Sequence, residues 1–118
     1  MEKIYEISLL LDFYGPMLTA RQYEILDLHY NSDYSLGEIA EHLGISRQGV
    51  YDNIKKGKAS LNNFEQKLGL VKKFLMQKKK AEEILSCVKH ISTEKMSDTD
   101  KQKLKNIETA VNEMIKGL

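Results

Sequence analysis

The chain has little of several residues that mark other classes of protein. Its 118 residues include no tryptophan, one proline and one cysteine. A single cysteine excludes an internal disulfide framework. Few prolines, no tryptophan and abundant Leu, Ile, Lys and Glu are typical of an all-helical protein. No apolar run approaches the roughly 18 residues that span a bilayer, so we expect no membrane insertion.

Motifs that mark enzymes and metal proteins are also missing. There is no phosphate-binding glycine loop, no Gly-x-Ser-x-Gly and no pair of carboxylates in a cleft-forming context. The three histidines are far apart and have no Cys or acidic partner at metal-ligand spacing. The N-terminal segment has early acids and no small-residue cleavage site, unlike a secretory signal. We therefore expect a cytoplasmic, non-enzymatic protein with no cofactor and no metal.

Residues 35–56 have the pattern of a helix-turn-helix. Ser35 and Glu38 form a capping-box pattern at the start of a first helix. Gly44 supplies the left-handed residue that a tight turn requires. Ser46 then caps a second helix, whose apolar residues Val50 and Ile54 are expected to face the core.

The second helix of such a motif enters a nucleic-acid groove and presents polar side chains from its N-terminal half. Arg can bond two acceptors on guanine, and Gln can bond adenine at two edge atoms. An ordinary solvated first turn remains the alternative, and a tyrosine there could cover the core instead of contacting a base or phosphate. The candidate nucleic-acid contacts are Ser46, Arg47, Gln48, Tyr51, Asp52, Lys55 and Lys56.

The rest of the chain also has helical periodicity. Helices are predicted over about 2–14, 20–30 and 70–91, and a last helix follows a cap at Ser97. The second helix of the motif is predicted to continue to about residue 68. The sequence thus predicts an all-α fold: a helix-turn-helix domain over 1–68 and a C-terminal helical extension over 69–118.

The last helix has apolar residues at alternating spacings of three and four, which is typical of a two-helix seam. An antiparallel hairpin with the preceding helix is one interpretation, and a homodimer is the other. Cys87, next to Val88, is expected to be a small core residue. The predicted seam consists of Leu104, Ile107, Val111, Met114 and Leu118, facing Ile84, Leu85, Val88 and Ile91.

Charge is distributed unevenly, although the formal net charge is only +1. Residues 1–46 contain two basic and eight acidic residues, whereas residues 47–80 contain ten basic and two acidic residues. The basic segment begins at the first residue of the predicted second helix, as expected of a surface that binds phosphates. A solvated lysine face is the alternative, and the acidic first third argues against an extended duplex-binding surface.

Two family resemblances follow from these residues. Residues 18–61 resemble the promoter-reading final domain of bacterial sigma factors. A closer resemblance, over about two thirds of the chain, is to the YlxM family of small bacterial proteins. The matching segments are DFYG at 12–15, LTARQ at 18–22, SRQ at 46–48, VYD at 50–52 and FEQKLGL at 64–70.

The resemblance to YlxM proteins implies a sigma-like helix-turn-helix protein that acts with the signal recognition particle or regulates its genes. We accordingly expect a nucleic-acid-binding accessory or regulatory protein, with DNA or structured RNA and particle components as partners. The alternatives are a sequence-specific transcriptional regulator and a protein-interaction adaptor that uses the motif as a scaffold. A homodimer is also expected, because paired half-sites suit small helix-turn-helix proteins.

Overall fold

The computed structural model describes residues 4–117, with side chains from residue 6, and confirms the all-α prediction for them. Glu2 and Leu118, and the side chain of Ile4, lie outside the described residues. The helices are α1 (Ile4–Tyr14), α2 (Ala20–Tyr30), α3 (Leu36–Leu43), α4 (Arg47–Leu68), α5 (Leu70–Lys89) and α6 (Asp98–Gly117), and a 3₁₀ turn (Gly15–Met17) follows α1. The chain divides into two compact units, Met1–Val71 and Lys72–Leu118.

Local chemistry sets most helix boundaries. Thr19 caps α2, and its hydroxyl accepts a hydrogen bond from the Gln22 N–H while the Gln22 side chain accepts one from the Thr19 N–H. This reciprocal pair is a capping box, which the sequence predicts from Thr followed three residues later by Gln. Gly69 ends α4 in the left-handed conformation, at φ 62°. Ser97 Oγ accepts a hydrogen bond from the Asp100 N–H at 3.1 Å, as expected of the cap before α6.

The core of the first unit is formed by apolar faces of α1 to α4. Helical spacing in the sequence predicts that Tyr23 and Leu68 face inward, which is wrong: Tyr23 is 42% exposed and Leu68 is 54% exposed. Tyr23 instead lies beside the backbone of Gly15, where an added Cβ would come within 2.7 Å of its ring. The fully buried side chains are Ile7, Leu11, Tyr14, Ile25, Leu26, Ile39, Val50 and Leu61.

Gly57 lets α4 pack closely against α2. A Cβ added at Gly57 would lie 2.7 Å from Leu26 Cδ1 and 3.7 Å from Gln22 Cβ. Glycine weakens a helix by roughly 0.5–1 kcal/mol relative to alanine. Here that cost is offset by the close packing of α4 against α2. The first turns of α4 form the second helix of the motif.

A polar network ties α1 to the junction between α4 and α5. The buried Tyr14 hydroxyl donates to Glu65 Oε1 at 2.6 Å and accepts from the Leu70 N–H at 3.0 Å. Glu65 Oε1 also accepts from the Val71 N–H at 3.0 Å. The N–H groups at the start of a helix have no partner within the helix. Tyr14 and Glu65 therefore supply the acceptors that the first turn of α5 needs.

In the second unit, members of the predicted seam on α6 alternate in exposure within the single chain. Ile107 and Met114 are 47% and 60% exposed, whereas Val111 is buried. The inward residues of α6 follow spacings of four, three and four and are Leu104, Glu108, Val111 and Ile115.

The α5 side of the predicted seam is also buried only in part within the single chain. Ala81 and Val88 are buried, while Ile84 and Ile91 are exposed. Cys87 is exposed, so its predicted place in the core is wrong. Each helix thus buries part of the predicted apolar stripe and leaves the rest exposed, because apolar residues cover more of each helix than its buried face.

The two helices of this unit meet near their connection. Val88 of α5 and Leu104 of α6 line one open cavity of about 360 Å³, together with Ile91 and Lys101. The hairpin and dimer interpretations of this unit remain predictions. Among the helices within residues 4–117, none combines the length and apolar character needed to cross a bilayer.

Candidate nucleic-acid interface

The first helix of the motif is fixed at both ends by the predicted groups. Ser35 Oγ accepts from the Glu38 N–H at 3.1 Å, and Glu38 Oε1 accepts from the Ser35 N–H at 2.9 Å. The hydrogen bond from the Ser35 N–H lowers the pKa of the Glu38 carboxyl below its ordinary 4.5. Gly44 ends α3 at φ 67°, and the Ile45 N–H donates to the Ala40 carbonyl at 3.0 Å.

The second helix of the motif begins as predicted. Ser46 Oγ accepts from the Gly49 N–H at 3.0 Å. Val50 is fully buried and Ile54 is nearly so, and Ile45 packs against the same core. These contacts fix the rotation of α4 about its own axis. Its opposite side must therefore face solvent over the first three turns.

The predicted contact residues of this segment are all exposed. Tyr51 is half exposed, at 50%, which favours a surface role over covering the core. Positions 46–56 span roughly 15 Å along the helix, at 1.5 Å per residue. The exposed residues are Ser46, Arg47, Gln48, Tyr51, Asp52, Lys55 and Lys56.

Gln48 and Asp52 form a pair one helical turn apart. The Gln48 amide donates from Nε2 to Asp52 Oδ1 at 3.0 Å. This bond uses one of the two amide hydrogens and leaves Gln48 Oε1 with its acceptor capacity. Asp52, which is poorly placed for contact with a phosphate, therefore orients a neighbour that can read a base edge.

Arg47 lies on the α3 side of this surface. If Gly37 carried a Cβ, that atom would be 2.7 Å from Arg47 Nη2 and 3.2 Å from both Cζ and Nε. The guanidinium therefore lies over the first turn of α3, although the residue remains exposed. Sequence reasoning missed this contact. The sequence indicates this contact only through the glycine at position 37. It lies in the first turn of a short helix, where alanine would stabilise more.

Further along α4, the basic residues are less uniform. Lys55 and Lys56 are exposed, whereas Lys58 is partly buried. Lys58 Nζ lies 5.9 Å from the centre of the Tyr30 ring, within the range of a cation–π contact. Lys58 thus connects α4 to α2. The solvent-facing positive charge of this part of α4 is carried by Lys55 and Lys56.

A glycine at position 49 predicts close approach of another backbone, of α3 in preference to nucleic acid, and the α3 interpretation is wrong. The nearest atoms to a Cβ at Gly49 would be Ser46 Oγ at 3.2 Å and Ile45 Cδ1 at 4.0 Å, both from the preceding turn. Glycines whose missing side chain makes room for a residue of another helix include Gly57 and Gly37. Within residues 4–117, no group of His, Cys, Asp and Glu side chains could hold a metal ion.

Known proteins resemble this chain over nearly its whole length. Residues 1–110 match the model of the UPF0122 family, described as "Putative helix-turn-helix protein, YlxM / p13 like". A UPF0122 protein of Acetivibrio thermocellus is 61% identical over 115 residues, covering 98% of each chain. A UPF0122 protein of Listeria welshimeri is 43% identical over 109 residues, covering 91% of this chain and 98% of the relative.

Proposed function

The chain belongs to the UPF0122 family of helix-turn-helix proteins, and from this premise we propose that it binds duplex DNA through α4. The observation that carries the proposal is the orientation of this helix. Val50 and Ile54 anchor one side, and Gln48, Tyr51 and Lys55 are exposed on the other. An exposed helix of this kind fits the major groove, which is about 12 Å wide.

In the proposed complex, α4 lies in the groove and α3 crosses the backbone, as in other helix-turn-helix proteins. The free Nε2 hydrogen and Oε1 of Gln48 match N7 and the N6 amine of adenine. The Gln48–Asp52 bond holds the amide in place before binding, which reduces the side-chain entropy lost. Lys55 and Lys56 reach phosphates beside the groove.

The acidic first third of the chain limits the extent of this surface. Eight acidic residues precede the basic segment, and Glu38 and Glu41 are exposed on α3 itself. We therefore propose about three phosphate contacts, made by Arg47, Lys55 and Lys56. Each contact contributes about −0.9 to the slope of log K against log salt.

Fluorescence anisotropy with a labelled duplex of mixed sequence tests the proposal. Three contacts predict a slope of about −2.7, or roughly 40-fold weaker binding between about 50 and 200 mM salt. Lys55→Ala should make the slope less negative by about 0.9. Lys103→Ala on α6 is the matched control and should not change the slope. If no binding is detected at low salt, the protein-interaction adaptor replaces this proposal.

A role with the signal recognition particle is a narrower proposal, supported by the likeness to YlxM proteins. Structured RNA would be its ligand. Because A-form RNA has a deep, narrow major groove, the same lysines would contact its backbone rather than its bases. A duplex-RNA competitor in the same assay separates the two ligands. Displacement of DNA at equal concentration by RNA would support this role, and displacement only at large excess would count against it.

A further inference from the structure

Gly37 occupies the first turn of α3 for a reason other than backbone conformation. Among the described residues, the glycines with positive φ are Gly44 and Gly69. Gly37 has neither this property nor a turn to make, and alanine suits such a helical backbone better. What fills the space of its missing side chain is the guanidinium of Arg47, at 2.7–3.2 Å from an added Cβ.

The direction of Arg47 differs from that of its neighbours. On a helix of 3.6 residues per turn, Arg47 lies about 100° from Gln48 and about 140° from Asp52. Gln48 and Asp52 point away from the core anchored by Val50, whereas the Arg47 guanidinium lies over Gly37. When the second helix of a motif lies in the groove, the first helix crosses the backbone. In a complex of that geometry, the position over α3 would place the guanidinium beside the strand backbone.

We propose that Gly37 is a positioning residue that holds Arg47 against α3, where the guanidinium binds a backbone phosphate instead of a guanine edge. This inference rests on the proposed function. Phosphate binding suits arginine, because its planar guanidinium can bond two phosphate oxygens at once and keeps its charge at all ordinary pH values. Base reading then belongs to Gln48 and Tyr51, which point into the groove.

Gly37→Ala tests the inference directly. The three atoms nearest to the new Cβ belong to the flexible end of Arg47, so we expect the fold to remain and the guanidinium to be displaced. We expect duplex affinity to fall roughly tenfold at moderate salt, as for the loss of one charge-assisted hydrogen bond. The helical circular dichroism and the Tm should not fall. The matched control is Gly117→Ala on α6, where a Cβ meets nothing within 4 Å and affinity should not change.

A double-mutant cycle with Arg47→Ala separates positioning from a general effect of Gly37. In the Arg47→Ala background, Gly37→Ala should have no further effect on affinity, since the guanidinium that it displaces is already gone. Equal losses in both backgrounds would overturn the inference.

Arg47→Ala alone tests the phosphate assignment without altering Gly37. It should weaken binding to all duplex sequences alike and make the slope of log K against log salt less negative by about 0.9. A loss confined to sequences with guanine at one position would overturn the assignment, because base readout gives that pattern. If the unaltered protein binds no duplex at low salt, the proposed function fails. If it binds and Gly37→Ala binds equally well, only this inference fails.

Discussion

Replacing Tyr14 with phenylalanine removes one oxygen atom from the junction of α1, α4 and α5 and keeps the buried ring. The lost hydroxyl donates to Glu65 Oε1 at 2.6 Å and accepts from the Leu70 N–H at 3.0 Å. A hydrogen bond to a charged group contributes about 1.5–3 kcal/mol, and a neutral one about 0.5–1.5 kcal/mol.

We therefore expect Tyr14→Phe to lower the free energy of unfolding by about 2 kcal/mol. For a domain of this size, that corresponds to a fall in Tm of roughly 8 °C. Urea and thermal unfolding followed by circular dichroism measure both quantities. Tyr51→Phe is the matched control, because it makes the same change at a half-exposed residue and should stay within about 0.5 kcal/mol. Equal stability of the two variants would refute the importance of the network.

The same variant makes a prediction about pH. Burial, followed by the hydrogen bond to Glu65, raises the pKa of Tyr14 above its ordinary 10.0. The folded protein keeps the phenol protonated at a pH where the unfolded chain ionises it. The contribution of Tyr14 is therefore complete below pH 10 and is lost as the pH rises through the folded pKa. The stability difference between the unaltered protein and Tyr14→Phe should shrink above about pH 10; a constant difference would contradict the assignment.

Three further changes test the packing, the cap and the assembly. Gly57→Ala should lower the free energy of unfolding by about 1–3 kcal/mol in urea, because Leu26 is fully buried and cannot move away; a gain in stability would show that α2 and α4 can separate freely. Ser46→Ala should lower it by about 1 kcal/mol through the lost cap, whereas no change would mean that water replaces Oγ. The homodimer is predicted to use the exposed α6 residues, so Ile107→Lys with Met114→Lys should halve the mass measured by light scattering, and a dimer that persists would exclude this face.

The helix boundaries could be predicted because the groups that set them are close in sequence. Ser35 and Glu38 complete their capping box within four residues, and Gly44 ends the same helix. The solvent face of α4 was predictable for a similar reason. Val50 and Ile54 are one turn apart, and burying them fixes where Gln48 points.

Contacts between distant residues could not be predicted in this way. Periodicity identifies an apolar face but not its partner, so nothing in the sequence pairs Gly57 with Leu26 or Tyr14 with Glu65. Arg47 shows the consequence for the site. Its position predicted a base contact, while its direction depends on the missing side chain of Gly37, on another helix.

Amide chemical-shift mapping, with duplex DNA added to the labelled protein at low salt, tests most directly whether α4 is a nucleic-acid-binding surface. We predict that the largest shift changes fall on residues 46–56, with a smaller set at the start of α3 near Gly37. Changes concentrated in α1, α2 or α6, with α4 unaffected at saturating DNA, would contradict it.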